Sequence, residues 1–583
     1  MTVDQVIISL IFTGLFIFLI WGKIRYDIVA FTFLIIAVIS GQININDAFK
    51  GFSHPATILV ALVLLVSAGM VNSGVIYLIT NSAFRAVRST TKHVLVISSL
   101  GAFLSSFINN IAALALLMPI DLQVAKKANR TARSTLMPLS FATILGGMVT
   151  LVGTPPNIII SSIRQQSVGE PFNFFDFTPV GLIVCLSGLF FITSIGWKLI
   201  GSNIKSEIGR KNRLDSRHYF TELIVPENSK YLGAPTSKLE NEIMELGGEL
   251  IKIHGNSKKI SIGEKITILT TTDTLDEIRI TLDLRIEESQ KISNLDNSRE
   301  MDLFEVVVDD SSRLLNKTAE SVGLFWRQQT TLIGISRQGN ALRKEVKRTK
   351  LRVGDILLLL APKSSHDEIS NWLGALTLEN RDLNFTKRGQ AWLSLSAFVV
   401  LIFLSSIQII SLTLGLSVLV CTYIFLNILP VSQLYENIAW PIIILLGSLI
   451  PLGYALEETG LTQLLATFLI HLSANLPLWV LLSIVMLITM TLSDILNNTA
   501  TTIVVAPIGL SLAQQLSVNP DPFLMGIAVS ASCAFLTPIG HKNNTLIMGP
   551  GGYNFFDYWR IGLPLQVLII LVSIPSILIF WSF

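Results

Sequence analysis

Charge is scarce in this chain, and the scarcity is uneven. Asp, Glu, Lys and Arg make up 14% of the 583 residues, against about 25% in ordinary soluble domains. Of 43 Lys and Arg, 29 fall between residues 201 and 390, and none occurs from Gly389 to His541. Cysteine is nearly lacking too. Cys185, Cys421 and Cys533 each sit in an apolar run at no metal-binding spacing and read as inert thiols. No HExxH, GxSxG or GxGxxG motif occurs, and His471 and His541 lie far apart, so no enzyme signature stands out. A TVGYG-like ion filter is also missing. The apolar run from Val6 lacks a basic leader and a small-residue cleavage site, and reads as a span rather than a signal peptide.

What remains is apolar: 51% hydrophobic residues, with mean hydropathy +0.61. Long runs almost free of charge predict membrane spans. They cover roughly 5–21, 27–40, 56–80, 93–122, 134–160 and 178–200, then 391–405, 408–429, 440–456, 461–512, 522–540 and 561–582. Between them lies a polar stretch of short alternating strands. Segments 209–217 and 380–389 look like its linkers. The net charge of +3 averages over unlike regions and does not argue for nucleic acid.

The two apolar halves repeat each other. Aligning 103–120 with 491–508 matches Leu104/Leu492, Ser105/Ser493, Asn109/Asn497, Asn110/Asn498, Ala112/Ala500, Pro119/Pro507 and Ile120/Ile508. Shared apolar composition does not readily produce a matched Asn-Asn pair. One residue out of step, TLVGTPPN (150–157) aligns with TPIGHKNN (537–544), matching Thr150/Thr537, Gly153/Gly540 and Asn157/Asn544. Such internal similarity points to duplication.

Basic residues favour the cytoplasmic side. Lys23 and Arg25 place the first loop inside. Arg85, Arg88 and Lys92 precede segment 93–122, and Lys126, Lys127, Arg130 and Arg133 follow it. Both its ends are therefore inside, which predicts a re-entrant hairpin with its tip near Phe107–Ile111. Its counterpart, 477–512, has no basic flank, as expected for a hairpin entering from outside, and the half returns inside at Lys542 and Arg560. Five crossings plus one hairpin per half make inverted copies. The predicted fold is a polytopic α-helical membrane protein interrupted by a cytoplasmic α/β domain pair. Its parts are a first half 1–200, linker 201–217, domains 218–290 and 300–374, linker 375–390, and a second half 391–583. Both termini are expected outside, in the plasma (inner) membrane.

Irregular backbone survives in the hydrocarbon core only where it is buried or lines a cavity. SSFINN, VGTPPN, SDILNN and IGHKNN are such breaks. Broken helices expose carbonyls and amides that hold ions at mid-membrane, and Asn, Ser and Thr oxygens suit a small cation such as sodium. Helix N-termini there favour an anion. A lone membrane Asn is often interhelical glue, but four Asn in two repeated pairs favour the site. Asp494 is either functional or a partner-satisfied acid near the hairpin entrance. Lys542 either couples to ion or anion, or snorkels to the inner surface.

These residues carry a resemblance. The paired hairpins, FINNIA and LNNTAT, GTPPN and GPGGYNFFDYWRIGLPL (549–565) resemble the divalent anion/sodium symporter family of the ion transporter superfamily, over about 1–200 and 390–583. The resemblance implies elevator-type alternating access and a homodimer. It implies a sodium site near Ser105, Asn109, Asn110 and Gly153, and a symmetric one near Ser493, Asn497, Asn498 and Gly540. An anion would sit near Asn109, Ile111, Thr154, Asn497, Thr499 and Asn543. Two departures stand out. Ile111 replaces the usual Thr, and HKNN replaces a second TPPN-like segment.

The central region has its own duplication. Glu222, Ser229 and Leu232 align with Glu305, Ser312 and Leu315, and IGEKITILT (262–270) aligns with VGDILLLLA (353–361). These copies resemble the RCK C-terminal (TrkA-C) domain, which implies either a passive dimerisation module or a regulatory unit for a small ligand. Within the family, central pairs of this kind are most like the sulfate-permease branch, so the implied activity is sodium-coupled import of sulfate. A dicarboxylate carrier, a chloride or arsenite/antimonite transporter, and a ligand-gated channel are the alternatives.

Overall fold

The computed structural model describes the chain except residues 1, 22–23, 76–88, 129, 202–218, 227–228, 254–258, 287–300, 310–311, 326–329, 338–339, 343–345, 363–364, 379–387 and 473–476. Lys23, Arg85, Arg88 and most of both expected linkers lie outside the described residues, as do the side chains of Lys126 and Lys127.

The first membrane half consists of α1 (Val3–Trp21), α2 (Tyr26–Ile39), α3 (Pro55–Asn72), α4 (Thr90–Ser105), α5 (Asn110–Lys127), α6 (Leu136–Gly147), α7 (Pro155–Val168) and α8 (Thr178–Phe191). Helix α8 runs on through a π-helical turn at Ile192–Gly196 to Gly201. Among the described residues, eight helices are long and apolar enough to cross a membrane. The chain is an integral membrane protein.

A central region follows, made of two α/β units. The first holds β1 (Tyr219–Ile224), α9 (Thr236–Glu245), β2 (Glu249–Ile253), β3 (Lys265–Thr270), α10 (Thr272–Thr281) and β4 (Arg285–Ile286), with sheet order β2-β3-β1-β4. The second holds β5 (Met301–Val308), β6 (Thr331–Arg337), β7 (Asn340–Ala341), β8 (Ile356–Pro362), α11 (His366–Leu373) and β9 (Ala375–Thr377), in order β7-β6-β8-β5-β9. Strand β9 pairs with β5, so this sheet continues three residues into the stretch expected to be linker. Strand β8 is buried along its whole length because it serves two cores. Ile356, Leu358 and Leu360 join the large core shared with the first unit and the membrane helices, while Leu357, Leu359 and Ala361 fill a separate one. That alternation is the two-residue period of a strand.

The second membrane half consists of α12 (Arg388–Ser406), α13 (Leu412–Phe425), α14 (Trp440–Glu458), α15 (Leu461–Leu472), α16 (Leu478–Ile495), α17 (Asn498–Leu516), α18 (Asp521–Ser532), α19 (Lys542–Met548) and α20 (Phe555–Phe580). The halves interlock symmetrically. Helix α2 packs on α14 while its counterpart α13 packs on α3; α4 packs on α6 while α16 packs on α18. The α4–α6 approach is close enough that a Cβ on Gly146 would collide with the Ala102 carbonyl, the small-residue contact that lets membrane helices meet. The helices carrying the breaks, α4–α8 and α16–α20, surround a centre where four helix starts are interrupted.

Candidate functional site

Each break is built by the same bonds in both halves. Helix α4 stops at Ser105 and α5 begins at Asn110, with Asn109 Oδ1 accepting the Ile111 N–H at 2.9 Å. In the second half α16 stops at Ile495, and Asn497 Oδ1 accepts the Thr499 N–H at 2.8 Å. An Asn side chain at this position satisfies an otherwise orphaned helix N–H.

Downstream, Thr150 Oγ1 donates to the Ser106 carbonyl, and its repeat partner Thr537 donates to the Asp494 carbonyl at 2.6 Å. Ser106 and Asp494 are themselves aligned positions. Asn157 Nδ2 donates to the Thr150 and Met148 carbonyls at 2.8 and 3.4 Å. Asn544 Nδ2 does the same to the Thr537 and Ala534 carbonyls at 3.1 and 2.9 Å. Irregular mid-membrane backbone needs its carbonyls satisfied, and Thr150/Thr537 and Asn157/Asn544 do it. The repeat read in sequence is a repeat in hydrogen bonding.

The first break gathers a tight polar cluster. Ser105 Oγ donates to Asn110 Oδ1 at 2.7 Å. A Cβ on Gly147 would strike the Asn110 amide, and one on Gly153 would strike the Gly147 carbonyl. Ser105, Asn110 and Gly153 therefore converge around Gly147, where only glycine admits the approach. The second break joins this cluster: Asn543 Nδ2 donates to the Asn110 carbonyl at 3.0 Å and to Thr143 Oγ1 at 2.8 Å. His541 Nε2 lies 3.4 Å from the Asn110 amide nitrogen. His541 Nδ1 accepts the Asn543 N–H, so a neutral ring carries its proton on Nε2.

Around the second hairpin the arrangement differs. Ser493 Oγ is spent on the Ala531 carbonyl, and a Cβ on Gly540 would lie 2.9 Å from the Ser493 carbonyl. Asn498 Oδ1 accepts from Thr499 N at 2.8 Å. Among the described residues, no hydrogen bond joins Asn497, Asn498 or Thr499 to the Asn110 cluster. Asp494 is fully partnered, taking the Leu536 N–H at 2.8 Å and Gln566 Nε2 at 2.6 Å. Lys542 carries its ammonium 5.7 Å from the Tyr26 ring centroid on α2, a distance at which the ring face attracts a cation. Ile111 is half-buried and packs its apolar side chain against the core.

Two atoms at the breaks stand out: Thr154 Oγ1 and Asn543 Oδ1 are buried and make no hydrogen bond to the protein. Such groups cost roughly 1–3 kcal/mol each unless something else satisfies them. Beside them the starts of α5 and α17 offer N–H groups and the positive ends of helix dipoles, while α7, opened by Pro155 and Pro156, adds its dipole end alone. A site with an unsatisfied hydroxyl, helix N-termini and a neutral-oxygen cluster is equipped to hold an anion next to a small cation.

Several contributors escaped the sequence reading. Ser140 and Thr143, one turn apart on α6, reach Asn544 and Asn543; two hydroxyls inside an otherwise apolar run were the available signal. His541 takes the N-cap place that Thr154 holds in the first half. The buried His93–Asp121 pair, 3.0 Å apart, ties the base of α4 to α5. The GPGGYNFFDYW motif is structural: Arg133 bonds the Gly552 carbonyl and Asp557, and Tyr553 OH bonds the Arg133 carbonyl.

Residues 16–508 and 479–583 match the family described as citrate transporter, CitMHS. The chain belongs to that family. The family sits in the ion transporter superfamily and is related to the divalent anion/sodium symporters and sodium/sulfate cotransporters. The chain is 30% identical to an uncharacterized transporter of Synechocystis sp., over 94% of this chain and 92% of that one. It is 24% identical to a putative sulfur deprivation response regulator of Chlamydomonas reinhardtii, over 96% and 99%. Sodium/sulfate cotransporter 2 of the same alga is 24% identical over 57% of this chain and 40% of its own length. This chain is a secondary transporter and not an enzyme.

Proposed function

We propose that the protein imports a small oxyanion, sulfate first, coupled to sodium, by alternating access of the elevator type. The observation that carries the reading is the orphaned hydroxyl Thr154 Oγ1, buried at the start of α7 and free to donate to an anion. A compact tetrahedral anion accepts hydrogen bonds from every side and suits hydroxyl, amide and helix N–H donors. Asn543 Oδ1 is an acceptor, because its Nδ2 is held by the Asn110 carbonyl and Thr143 Oγ1, and it adds a neutral oxygen on the cation's side of the site. Sodium is assigned to Ser105, Asn109, Asn110 and Gly153, which supply neutral oxygens at the first break. Ser493, Asn497, Asn498 and Gly540 form the second candidate, set apart from the Asn110 cluster because Ser493 Oγ turns to the Ala531 carbonyl where Ser105 Oγ turns to Asn110. The names of the algal relatives favour sulfate; the family description favours a carboxylate such as citrate, which is the second reading.

In this reading the soluble region lies in the cytoplasm, both termini lie outside, and the protein works as a homodimer. The α/β pair is an RCK-C-like module that dimerises or takes a regulatory ligand. Cysteines placed in 219–286 or 301–377 are then labelled only from the cytoplasmic side, and ones near Gly169 and Asn519 from outside.

The deciding experiment is uptake of labelled sulfate into proteoliposomes, with and without a sodium gradient, against citrate, succinate, chloride and arsenite. Saturable, sodium-driven uptake that unlabelled sulfate suppresses and citrate does not is the expected result. Suppression by citrate at lower concentration than sulfate moves the substrate to the carboxylates. Flux that neither saturates nor needs a gradient replaces the carrier by a channel.

A further inference from the structure

A turn of the central region lies against α19, the short helix that carries Asn543. The two α/β units end their repeats in matched left-handed turns, Gly263-Glu264 and Gly354-Asp355, with φ of +74° and +80° at the glycines. Each acid caps its own turn: Glu264 Oε2 accepts the Ser261 N–H, and Asp355 Oδ2 the Arg352 N–H, both at 2.8 Å. Each glycine N–H bonds the strand before it, to Val225 and Val308 at 2.9 Å. Their surroundings differ. Beside Gly263 there is open space, and the neighbouring Ile262 is exposed. Gly354 lies against the end of α19: a Cβ there would sit 3.4 Å from the Thr545 carbonyl, and a Cβ on Gly549 would collide with the Gly354 carbonyl.

The turn that makes this contact is also the stiffer one. Arg337 holds Asp355 with two hydrogen bonds of 2.6 and 2.7 Å and reaches the Lys350 carbonyl at 3.0 Å. Helix α19 is seven residues long, about 10 Å at 1.5 Å per residue. The turn presses on its C-terminal end. At its N-terminal end Asn543 bonds the Asn110 carbonyl and Thr143. A short helix with a backbone-to-backbone stop at one end and a site residue at the other moves as a unit.

We propose that the Gly354–Asp355 turn is a positioning element of the transport site, setting through α19 where Asn543 stands relative to Asn110. The proposal rests on the reading that Asn543 lines the transport site. It makes the second α/β unit a mechanical part of the carrier, and it gives the pair an asymmetry: the second unit is committed to the membrane helices, and the matching turn of the first is not.

Full-length variants separate contact from strain. Gly549 has an ordinary helical φ of −67°, so Gly549→Ala adds a collision without forcing a left-handed alanine. Gly354→Ala adds left-handed strain at the contact, with its Cβ 3.4 Å from the Thr545 carbonyl, Gly263→Ala adds the same strain where nothing is near, and Arg337→Gln loosens the turn without adding volume. Hydrogen–deuterium exchange of the purified proteins, followed over 537–548 and 106–114, reads the coupling without a substrate. Gly549→Ala, Gly354→Ala and Arg337→Gln are expected to raise exchange in both segments by about 2- to 30-fold, and Gly263→Ala to leave it unchanged. The apparent KM for labelled sulfate shifts in the same three. Unaltered exchange at Asn543 and Asn110 in folded Gly549→Ala and Arg337→Gln overturns the proposal, as does an equal change in Gly263→Ala. Absence of sulfate uptake in the unsubstituted protein counts against the functional reading alone, because the exchange result stands independently of it.

Discussion

The two mid-membrane breaks share a skeleton and differ in what they display. Thr150 and Thr537 tie their loops to the preceding hairpin, and Asn157 and Asn544 hold two loop carbonyls each. The residues between them diverge: Thr154-Pro155-Pro156 in one break stand where His541-Lys542-Asn543 stand in the other. The first break is stiff and neutral, since proline fixes the start of α7 without an N–H to satisfy. The second caps its helix with an imidazole, carries a charge, and sends Asn543 across to the first half's Asn110. The pseudo-symmetry of the backbone is therefore not a symmetry of the site. Residues that satisfy irregular backbone are retained in both copies, while residues free to face cargo have separated in role.

The skeleton gives the largest expected effect. Asn157→Ala and Asn544→Ala each strip two buried carbonyls of their donor, at a cost of roughly 1–3 kcal/mol per unsatisfied group. Both variants should melt several degrees lower in detergent and lose most uptake, to a similar extent. A benign Asn544→Ala beside a damaging Asn157→Ala would break the equivalence of the two skeletons.

The oxygens proposed for sodium come next. Asn110→Ala removes the oxygen that Ser105 Oγ holds in the cluster with Gly147 and Gly153, whereas Asn498→Ala removes one that caps its own neighbour Thr499 outside that cluster. A sodium titration of uptake should show apparent affinity falling about tenfold or more for Asn110→Ala, near the loss of one charge-assisted bond, and less for Asn498→Ala. Unaltered sodium dependence in both sinks the cation assignment.

A smaller and sharper effect belongs to Thr154→Val. It removes an orphaned hydroxyl at nearly constant volume, so stability should hold or rise slightly. The apparent KM for the anion should rise about 5- to 10-fold, near the net worth of one hydrogen bond. A destabilised protein with unchanged KM would mean that the hydroxyl has a partner inside the protein and does not face cargo.

Much of this was legible because duplication leaves paired letters. Asn109/Asn497, Thr150/Thr537 and Asn157/Asn544 recur in sequence, and the same pairs recur as hydrogen bonds. Two breaks inside apolar runs follow from SSFINN and SDILNN without a structure. What escaped was whatever crosses between halves. No local pattern brings Asn543 to Asn110 or Ser140 to Asn544, because those contacts depend on how α19 packs against α5 and α6. Asp494 looked like a candidate functional acid, and its roles could be separated only by seeing Leu536 and Gln566 on its two oxygens. The soluble turn is a similar case. Gly354-Asp355 and Gly263-Glu264 read alike, and only packing distinguishes the one that meets Gly549.

Lys542 gives the smallest expected effect and the finest test of the contrast between breaks. It replaces the first proline of the other copy, and a mid-membrane cation needs a partner or a function. Its ammonium sits over the Tyr26 ring of α2, a contact worth about 0.5–2 kcal/mol depending on how far water is excluded. Tyr26 belongs to the peripheral helices and Lys542 to the helices that carry the breaks, so the pair spans the surface along which an elevator would slide. Breaking it should change the rate of interconversion more than binding. Lys542→Gln should alter maximal uptake by about two- to threefold, the low end of that energy, with the sodium Hill slope and anion KM unchanged. Lys542→Arg, which keeps a cation over the ring, should stay close to the unsubstituted protein, and Tyr26→Leu should reproduce Lys542→Gln without adding to it in the double variant. A changed Hill slope in Lys542→Gln would instead make the ammonium a stand-in for the second sodium. A raised KM would make it an anion ligand, and either result would return the residue to the site from the interface.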